Sequence, residues 1–100
     1  MSNPTSKQRA HLRSLAHSLK PILQVGAEGV SEAFLESLDE AFNTRELLKV
    51  RVLETNDLDT REAAEAIRDG LEGVAVVQTI GRTVVLYRPD PDDPEIELPA

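Results

Sequence analysis

Cysteine and tryptophan are absent from this chain, and only three of its 100 residues are aromatic. Without cysteine, neither a disulfide framework nor a thiolate metal site can form. The three rings are Phe34, Phe42 and Tyr87, so we expect a core built from Leu, Val, Ile and Ala. Tyr87 has no aromatic partner beside it, and stacking of bases as in RRM or OB folds is therefore not indicated.

Long apolar runs are also missing, and Met1 is followed by polar residues. The sequence therefore predicts neither a membrane-spanning helix nor a signal peptide. One hundred residues are enough for one domain with a modest hydrophobic core. We expect a monomeric protein of the cytoplasm that has no membrane partner.

Signatures of catalysis and of metal binding are missing as well. The sequence contains no Walker loop, no Rossmann fingerprint, and no nucleophile with an identifiable base. His11 and His17 are six residues apart on one predicted helix, so they cannot share a face as i, i+4 metal ligands do. We expect a protein that is not an enzyme and that carries neither a metal nor a cofactor.

Acidic side chains do not occur before Glu28, although the chain as a whole has a net charge of −7. Residues 1–30 hold four basic residues and one acidic residue, whereas residues 31–100 hold seven basic and seventeen acidic residues. The acidic total argues against indiscriminate binding to nucleic acid. Because salt screens charges over roughly 10 Å, the amino-terminal third can still present a local cationic surface. Its basic residues are Lys7, Arg9, Arg13 and Lys20.

Capping signals and hydrophobic periodicity predict seven elements. Thr5 with Gln8, and Asp59 with Glu62, are typical capping boxes, and Ser31 is a good N-cap. Gly81-Arg82 between two β-rich runs predicts a hairpin. In chain order we expect a helix from Thr5 to near Lys20 with a core-facing stripe of Leu12, Leu15, Ala16 and Leu19, strand Ile22–Val25, a helix from Ser31 to about Phe42, strand Leu47–Leu53, a helix from Asp59 to Leu71 with Gly73 as C-cap, and strands Val74–Ile80 and Thr83–Arg88.

The predicted order α-β-α-β-α-β-β indicates an α/β (α+β) fold with a mixed four-stranded sheet in two layers. The second strand alternates apolar residues with Lys49 and Arg51, so one sheet face is expected to be apolar and the other wet or facing a partner. Residues 89–100 carry five acidic residues among prolines, which predicts a flexible tail.

A G-x-x-G sequence, Gly26-Ala27-Glu28-Gly29, lies between the first predicted strand and the second predicted helix. Glycine lets the backbone approach a phosphate closely, and the N-terminus of the helix directs N–H groups and a positive dipole end toward it. The same residues also suit a plain structural turn. Glu28 at the tip repels phosphate unless it points away or accepts a hydrogen bond from a base edge, and it equally suits compensation of the helix dipole.

The basic residues of the first predicted helix cluster on one side. At about 100° per residue, Arg9, Arg13, His17 and Lys20 fall within an arc of about 80°. This arc is either a phosphate-binding surface or a solvated helix face. Arg82, at the tip of the predicted hairpin, is either a phosphate contact or simply an exposed side chain.

Four blocks of sequence together resemble the CRM domain (chloroplast RNA splicing and ribosome maturation) in its stand-alone bacterial form of the YhbY type. The resemblance extends over residues 5–88. The blocks are Thr5-Ser-Lys-Gln-Arg-Ala-His-Leu-Arg-Ser-Leu-Ala-His, Leu19-Lys-Pro-Ile-Leu-Gln-Val-Gly, Arg45-Glu-Leu-Leu-Lys-Val-Arg-Val and Gln78-Thr-Ile-Gly-Arg-Thr-Val-Val-Leu-Tyr-Arg.

This resemblance implies a fold like the C-terminal domain of translation initiation factor three, formed by residues 1–88 and followed by the tail. It also implies RNA binding and association with precursors of the large ribosomal subunit, with ribosomal proteins as further candidate partners. Family loops usually hold polar or basic residues where this chain has Ala27 and Glu28. The RNA-binding residues implied are Gly26, Ala27, Glu28 and Gly29 of the loop, and Lys7, Arg9, Arg13, Lys20 and Arg82 of the basic surface.

An alternative function follows from the acidic residues. A protein-interaction module of similar fold would use the acidic faces of its second and third helices, together with the acidic tail, to dock a basic partner.

Overall fold

The computed structural model describes residues 4–54 and 59–99, so Ala100 at the end of the predicted tail lies outside the described residues. Seven elements occur in the predicted order. They are α1 (Ser6–Ala16), β1 (Leu23–Val25), α2 (Glu32–Phe42), β2 (Leu47–Val52), α3 (Thr60–Gly70), β3 (Ala75–Ile80) and β4 (Thr83–Tyr87).

The predicted helix starts are confirmed at atomic detail. The N–H of Gln8 donates to Oγ1 of Thr5 at 3.2 Å, and the side chain of Gln8 accepts from the N–H of Thr5, which completes a capping box. Asp59 and Glu62 form the same reciprocal pair at the start of α3. Each cap supplies partners for N–H groups that a helix leaves unpaired in its first turn.

The four strands form one mixed sheet in the order β1-β2-β4-β3. β1 runs parallel to β2, while β4 pairs antiparallel with both β2 and β3. The predicted fold class and the mixed four-stranded sheet are therefore confirmed. β1 and β3 are the two edge strands, so surfaces that adjoin them lie three strand spacings apart.

Two hydrophobic clusters lie on opposite faces of the sheet. The larger one packs α2 and α3 against alternate residues of the strands, including Leu48, Val50 and Leu86. The smaller one packs Leu12 and Ala16 of α1 on the other face. The predicted two-layer arrangement is therefore wrong, because α1 covers the face that we expected to be less covered and the sheet lies between this helix and the other two.

The first helix is shorter than its sequence pattern predicts. It ends at Ala16, and Leu15 and Leu19 are 40% and 38% exposed rather than part of the core. The chain turns through a hydrogen bond from the N–H of Leu19 to the carbonyl of Ala16, and Nζ of Lys49 donates to the carbonyl of Leu19 at 3.0 Å. This contact with β2 positions the chain for entry into β1, so the helical periodicity beyond Ala16 is overridden by tertiary structure.

The acidic segment after β4 follows the surface of the domain in the described range 89–99. The carboxylate of Glu46, a buried residue, accepts three backbone N–H groups from this segment, those of Asp90 at 2.5 Å, Glu95 at 2.8 Å and Ile96 at 2.7 Å. Ile96 and Leu98 then pack against the cluster beneath α1. The structure thus gives the tail, which we expected to be flexible, a defined set of contacts.

Two ionisable groups respond to this arrangement. Burial, and then the nearby carboxylate of Glu46, raise the pKa of Tyr87 above 10.0. The N–H groups of Asp92 and Asp93 donate to Oδ1 of Asp90 and lower the pKa of that carboxyl below 3.8. Because the folded pKa of Asp90 is lowered, its contribution to the tail turn is present above pH 3.8 and is lost as the pH falls through that lowered pKa.

Within the parts of the chain that the structure describes, no helix is long and apolar enough to cross a membrane.

Replacing Glu46 by Gln removes the charge that holds the tail. Since hydrogen bonds to an ionised acceptor are worth more than neutral ones, we expect Glu46→Gln to lower the free energy of unfolding by about 2 kcal/mol. Urea denaturation measures this loss, and faster hydrogen exchange at the amide of Ile96 locates it. Glu40→Gln, at an exposed position of α2, is the control, and equal unfolding midpoints for the two variants would contradict the prediction.

Candidate nucleic-acid interface

One end of the sheet brings together segments that are far apart in sequence. The N–H of Leu53 donates to the carbonyl of Val25 at 3.0 Å, and the N–H of Val52 donates to the carbonyl of Arg82 at 2.7 Å. The carboxyl ends of β1 and β2 therefore meet the turn between β3 and β4. The G-x-x-G segment follows β1 at this same end.

Residues 26–29 form a turn closed by its own backbone. The N–H of Gly29 donates to the carbonyl of Gly26 at 3.0 Å, and the N–H of Ser31 donates to the carbonyl of Gly29 at 3.0 Å. Gly29 has a φ of 73°, in the left-handed region that favours glycine. Gly29 is thus required by the turn, and its N–H group is used within the turn rather than offered to a ligand.

Gly26 differs from Gly29, because its backbone does not need glycine. Its φ lies outside the left-handed region, and a Cβ built on it would meet no atom within 4 Å. Other residues could adopt this conformation without a clash inside the domain. The open space beside Gly26 therefore permits close approach of another molecule to the backbone at the start of the turn.

A groove of about 350 Å³ runs between the outer edge of β1, the turn and the first residues of α2. Ser31 caps α2 by accepting the N–H of Phe34 at 3.1 Å, and the helix directs its positive dipole end toward the groove. The described lining residues, none of which is Lys or Arg, are Leu23, Gln24, Gly26, Ala27, Glu28, Gly29, Ser31, Ala33, Phe34 and Ser37. Donor groups and the helix dipole, rather than cationic side chains, would hold an anion here.

Arg82 lies at the same end of the sheet as this groove, although it does not line it. Its Nε donates to the carbonyl of Val52 and its Nη2 donates to the carbonyl of Leu53, both at 2.7 Å. The half-buried guanidinium is therefore neither a freely exposed side chain nor a dedicated phosphate contact. Because a guanidinium has five N–H donors, the ones not used here remain for a ligand.

Arg51 is a cation of this region that the sequence reasoning did not select. It is exposed, it pairs in register with Gln24 of β1 and with Thr83 of β4, and it lies one residue before the end of β2. The alternation of β2 showed that Arg51 faces away from the main core, but it did not show which loop lies nearby. Lys49, on the same face, is occupied by its contact with Leu19.

The basic residues of the amino-terminal third do not all gather at the turn. Arg9 is half-buried and lines a groove beside β3, three strands away from β1, which corresponds to about 14 Å. Lys20 precedes β1, whereas the turn follows it, so these two lie at opposite ends of that strand. Lys7 and Arg13 are exposed on α1, which packs over β2, β3 and β4. Of the predicted cations, Arg82 is the one that the structure places at the sheet end with the turn.

Among the residues that the structure describes, no group of three or more His, Cys, Asp or Glu side chains could hold a metal ion.

Comparison with known proteins gives a consistent result across sequence and structure. The CRS1 / YhbY (CRM) domain matches residues 5–88. The chain is 45% identical to "Probable RNA-binding protein YqeI" of Bacillus subtilis, with 95% of this chain and 98% of that protein covered. It is 36% identical to a protein of Haemophilus influenzae named "RNA-binding protein", with 99% and 98% covered.

The solution structure of the hypothetical protein SAV1595 from Staphylococcus aureus is similar over 96% of this chain and 99% of that one. The two share 42% of their residues, and the TM-score is 0.80. The four sequence blocks, the mixed sheet and these matches lead to one conclusion: the chain belongs to the CRS1/YhbY (CRM) domain family.

Proposed function

We propose that this chain is an RNA-binding protein without catalytic activity that contacts the sugar-phosphate backbone of its target. The open space beside Gly26 is the observation that carries the proposal, because the fold itself does not require glycine there. Proteins up to 45% identical over almost the whole chain are named RNA-binding proteins, which supports the choice of RNA as ligand.

The contact surface would be centred on the turn Gly26–Gly29, the N-terminus of α2, and the side chains of Arg51 and Arg82. Outside this centre, the exposed side chains of Arg13 and Lys20 would contact more distant phosphates of the same RNA. A phosphate that approaches Gly26 comes close to backbone N–H groups and to the positive end of the helix dipole. Arginine adds planar, charged donors that match phosphate oxygens. Glu28 at the exposed tip would point away from the phosphate or accept a hydrogen bond from a base edge.

Recognition would depend on RNA shape rather than on stacked bases. Phe34, Phe42 and Tyr87 are all buried, so none of the three aromatic rings of the chain can serve as a stacking surface. Contacts restricted to phosphate and sugar carry little sequence information. As the family resemblance implies, we propose ribosomal RNA in precursors of the large ribosomal subunit as the target, with assembly of that subunit in the cytoplasm as the process and ribosomal proteins as neighbouring partners.

The two glycines of the turn make a matched pair for testing this surface. Gly26→Ala should leave stability within about 1 kcal/mol, because the conformation suits alanine. RNA affinity should fall about tenfold or more, because the added Cβ prevents the close approach of the phosphate and a charge-assisted contact is lost. Gly29→Ala should instead cost about 1–2 kcal/mol of stability, because alanine is disfavoured at positive φ. Thermal unfolding and filter binding of a bacterial large-subunit rRNA transcript measure the two effects. Unchanged affinity in Gly26→Ala would remove the main support for the proposal.

Salt dependence tests whether phosphates dominate binding. If about six phosphates are neutralised, log K should fall against log salt concentration with a slope of about −4 to −5, from the single-strand coefficient of about 0.7 per phosphate. Filter binding of the same transcript at several potassium chloride concentrations gives the slope. An affinity that does not change with salt would exclude a backbone-contact mechanism.

Charge reversal tests two exposed cations of the amino-terminal third, Arg13 on α1 and Lys20 before β1. Arg13→Glu combined with Lys20→Glu should abolish co-sedimentation with large-subunit precursors, because two attractive phosphate contacts become repulsive. Sucrose-gradient fractions show the distribution, and circular dichroism checks that the fold is kept. Unchanged sedimentation would show that these two residues take no part.

Removal of residues 89–100 separates this function from the alternative one. If the chain binds RNA, affinity should stay the same or rise, because the segment carries Asp90, Asp92, Asp93, Glu95 and Glu97. Because the segment packs against the domain, circular dichroism must show that the shortened chain is folded. Loss of binding to ribosomal particles by the folded, shortened chain would favour a module that docks a basic protein.

A further inference from the structure

A second groove, which unlike the first is lined by arginines, lies at the sheet edge opposite to the G-x-x-G turn. Arg9 of α1 and Arg61 and Arg68 of α3 line it, together with Gln78 and Thr79 of β3, and its volume is about 250 Å³. The sequence gives no direct sign of this groove, because the three arginines come from helices that are about fifty residues apart.

The fold brings these arginines together because α1 and α3 pack on opposite faces of the sheet and both reach the edge strand β3. Arg61 and Arg68 are seven residues apart, which places them on one side of α3. Ala64, the small residue between them, also lines the groove and leaves it open. The groove therefore runs along β3, with cationic groups contributed from both helical layers.

The charges of the groove are not neutralised within the described part of the domain. Nε of Arg68 lies 3.9 Å from Oδ1 of Asp69, and the two side chains are 52% and 78% exposed, so this pair contributes little. In residues 4–54 and 59–99, neither Arg9 nor Arg61 has an ion-pair partner. Glu65 also lines the groove, which leaves an excess of two positive charges.

We propose that this groove binds a second phosphate segment of the same RNA that the turn contacts. The proposal rests on the function proposed above and adds the kind of target. This target is a folded RNA that presents one backbone segment at each of the two edges of the sheet. β3 and β1 are separated by three strand spacings, about 14 Å, so one phosphate cannot serve both surfaces. The guanidinium groups, with Gln78 and Thr79 as further donors, match phosphate oxygens in charge and geometry.

The test compares arginine substitutions that remove positive charge at different places, with the two groove substitutions combined in one double variant. Arg61→Gln and Arg68→Gln remove charge from the groove, and Arg45→Gln removes it from an exposed position beside Glu46 and Asp90. Binding of the large-subunit rRNA transcript is measured at several salt concentrations for each variant, and unfolding is measured to confirm the fold.

We expect the double variant Arg61→Gln/Arg68→Gln to bind about tenfold more weakly and to reduce the magnitude of the salt slope by about 1.5, since two phosphate contacts are lost. The Arg61→Lys/Arg68→Lys variant should keep the slope, because it keeps the charges, and Arg45→Gln should match the unchanged chain.

The outcomes separate the two proposals. If the unchanged chain does not bind the transcript, the proposed function and this inference both fail. If it binds, and Gly26→Ala weakens binding while the double arginine variant does not, the groove inference alone is overturned. Unchanged RNA affinity together with increased self-association of the double variant would identify the arginines as protection of the exposed β3 edge.

Discussion

The parallel pairing of β1 with β2 is the constraint on which the candidate interface depends. β1 has only three residues, and hydrogen bonds from Ile22 to Lys49 and from Leu53 to Val25 extend its pairing at both ends. This pairing places the turn that follows β1 beside the end of β2, where Arg82 also lies. Without it, Gly26 and Arg82, fifty-six positions apart in the chain, would have no reason to lie at the same end of the sheet.

The sequence was sufficient for features that arise from local interactions. The capping boxes, the hairpin at Gly81-Arg82 and the order of helices and strands along the chain follow from spacing within a few residues. The structure confirms them. The end of α1 could not be predicted, because the contact from Lys49 to Leu19 joins residues thirty positions apart. The role of Arg82 at the end of β2 and the meeting of arginines beside β3 depend on the sheet order in the same way.

The distribution of charge also looks different once the fold is known. In the sequence, the cations appeared as one amino-terminal group. The structure instead places Arg9 in the groove beside β3, Lys7 and Arg13 on the surface of α1, and Lys20 just before β1. An acidic protein of this size can present separate cationic areas because screening limits each charge to its neighbourhood. The resulting surface suits a ligand with negative charges at several places better than a single small anion.

The way Glu46 holds the carboxy-terminal segment has a consequence for sequence divergence. Its carboxylate contacts main-chain N–H groups at positions 90, 95 and 96, so the attachment does not depend on which side chains occupy those positions. Relatives could therefore exchange most residues of this segment and still keep it attached. Proline at any of the three positions is the exception, because it has no N–H to donate.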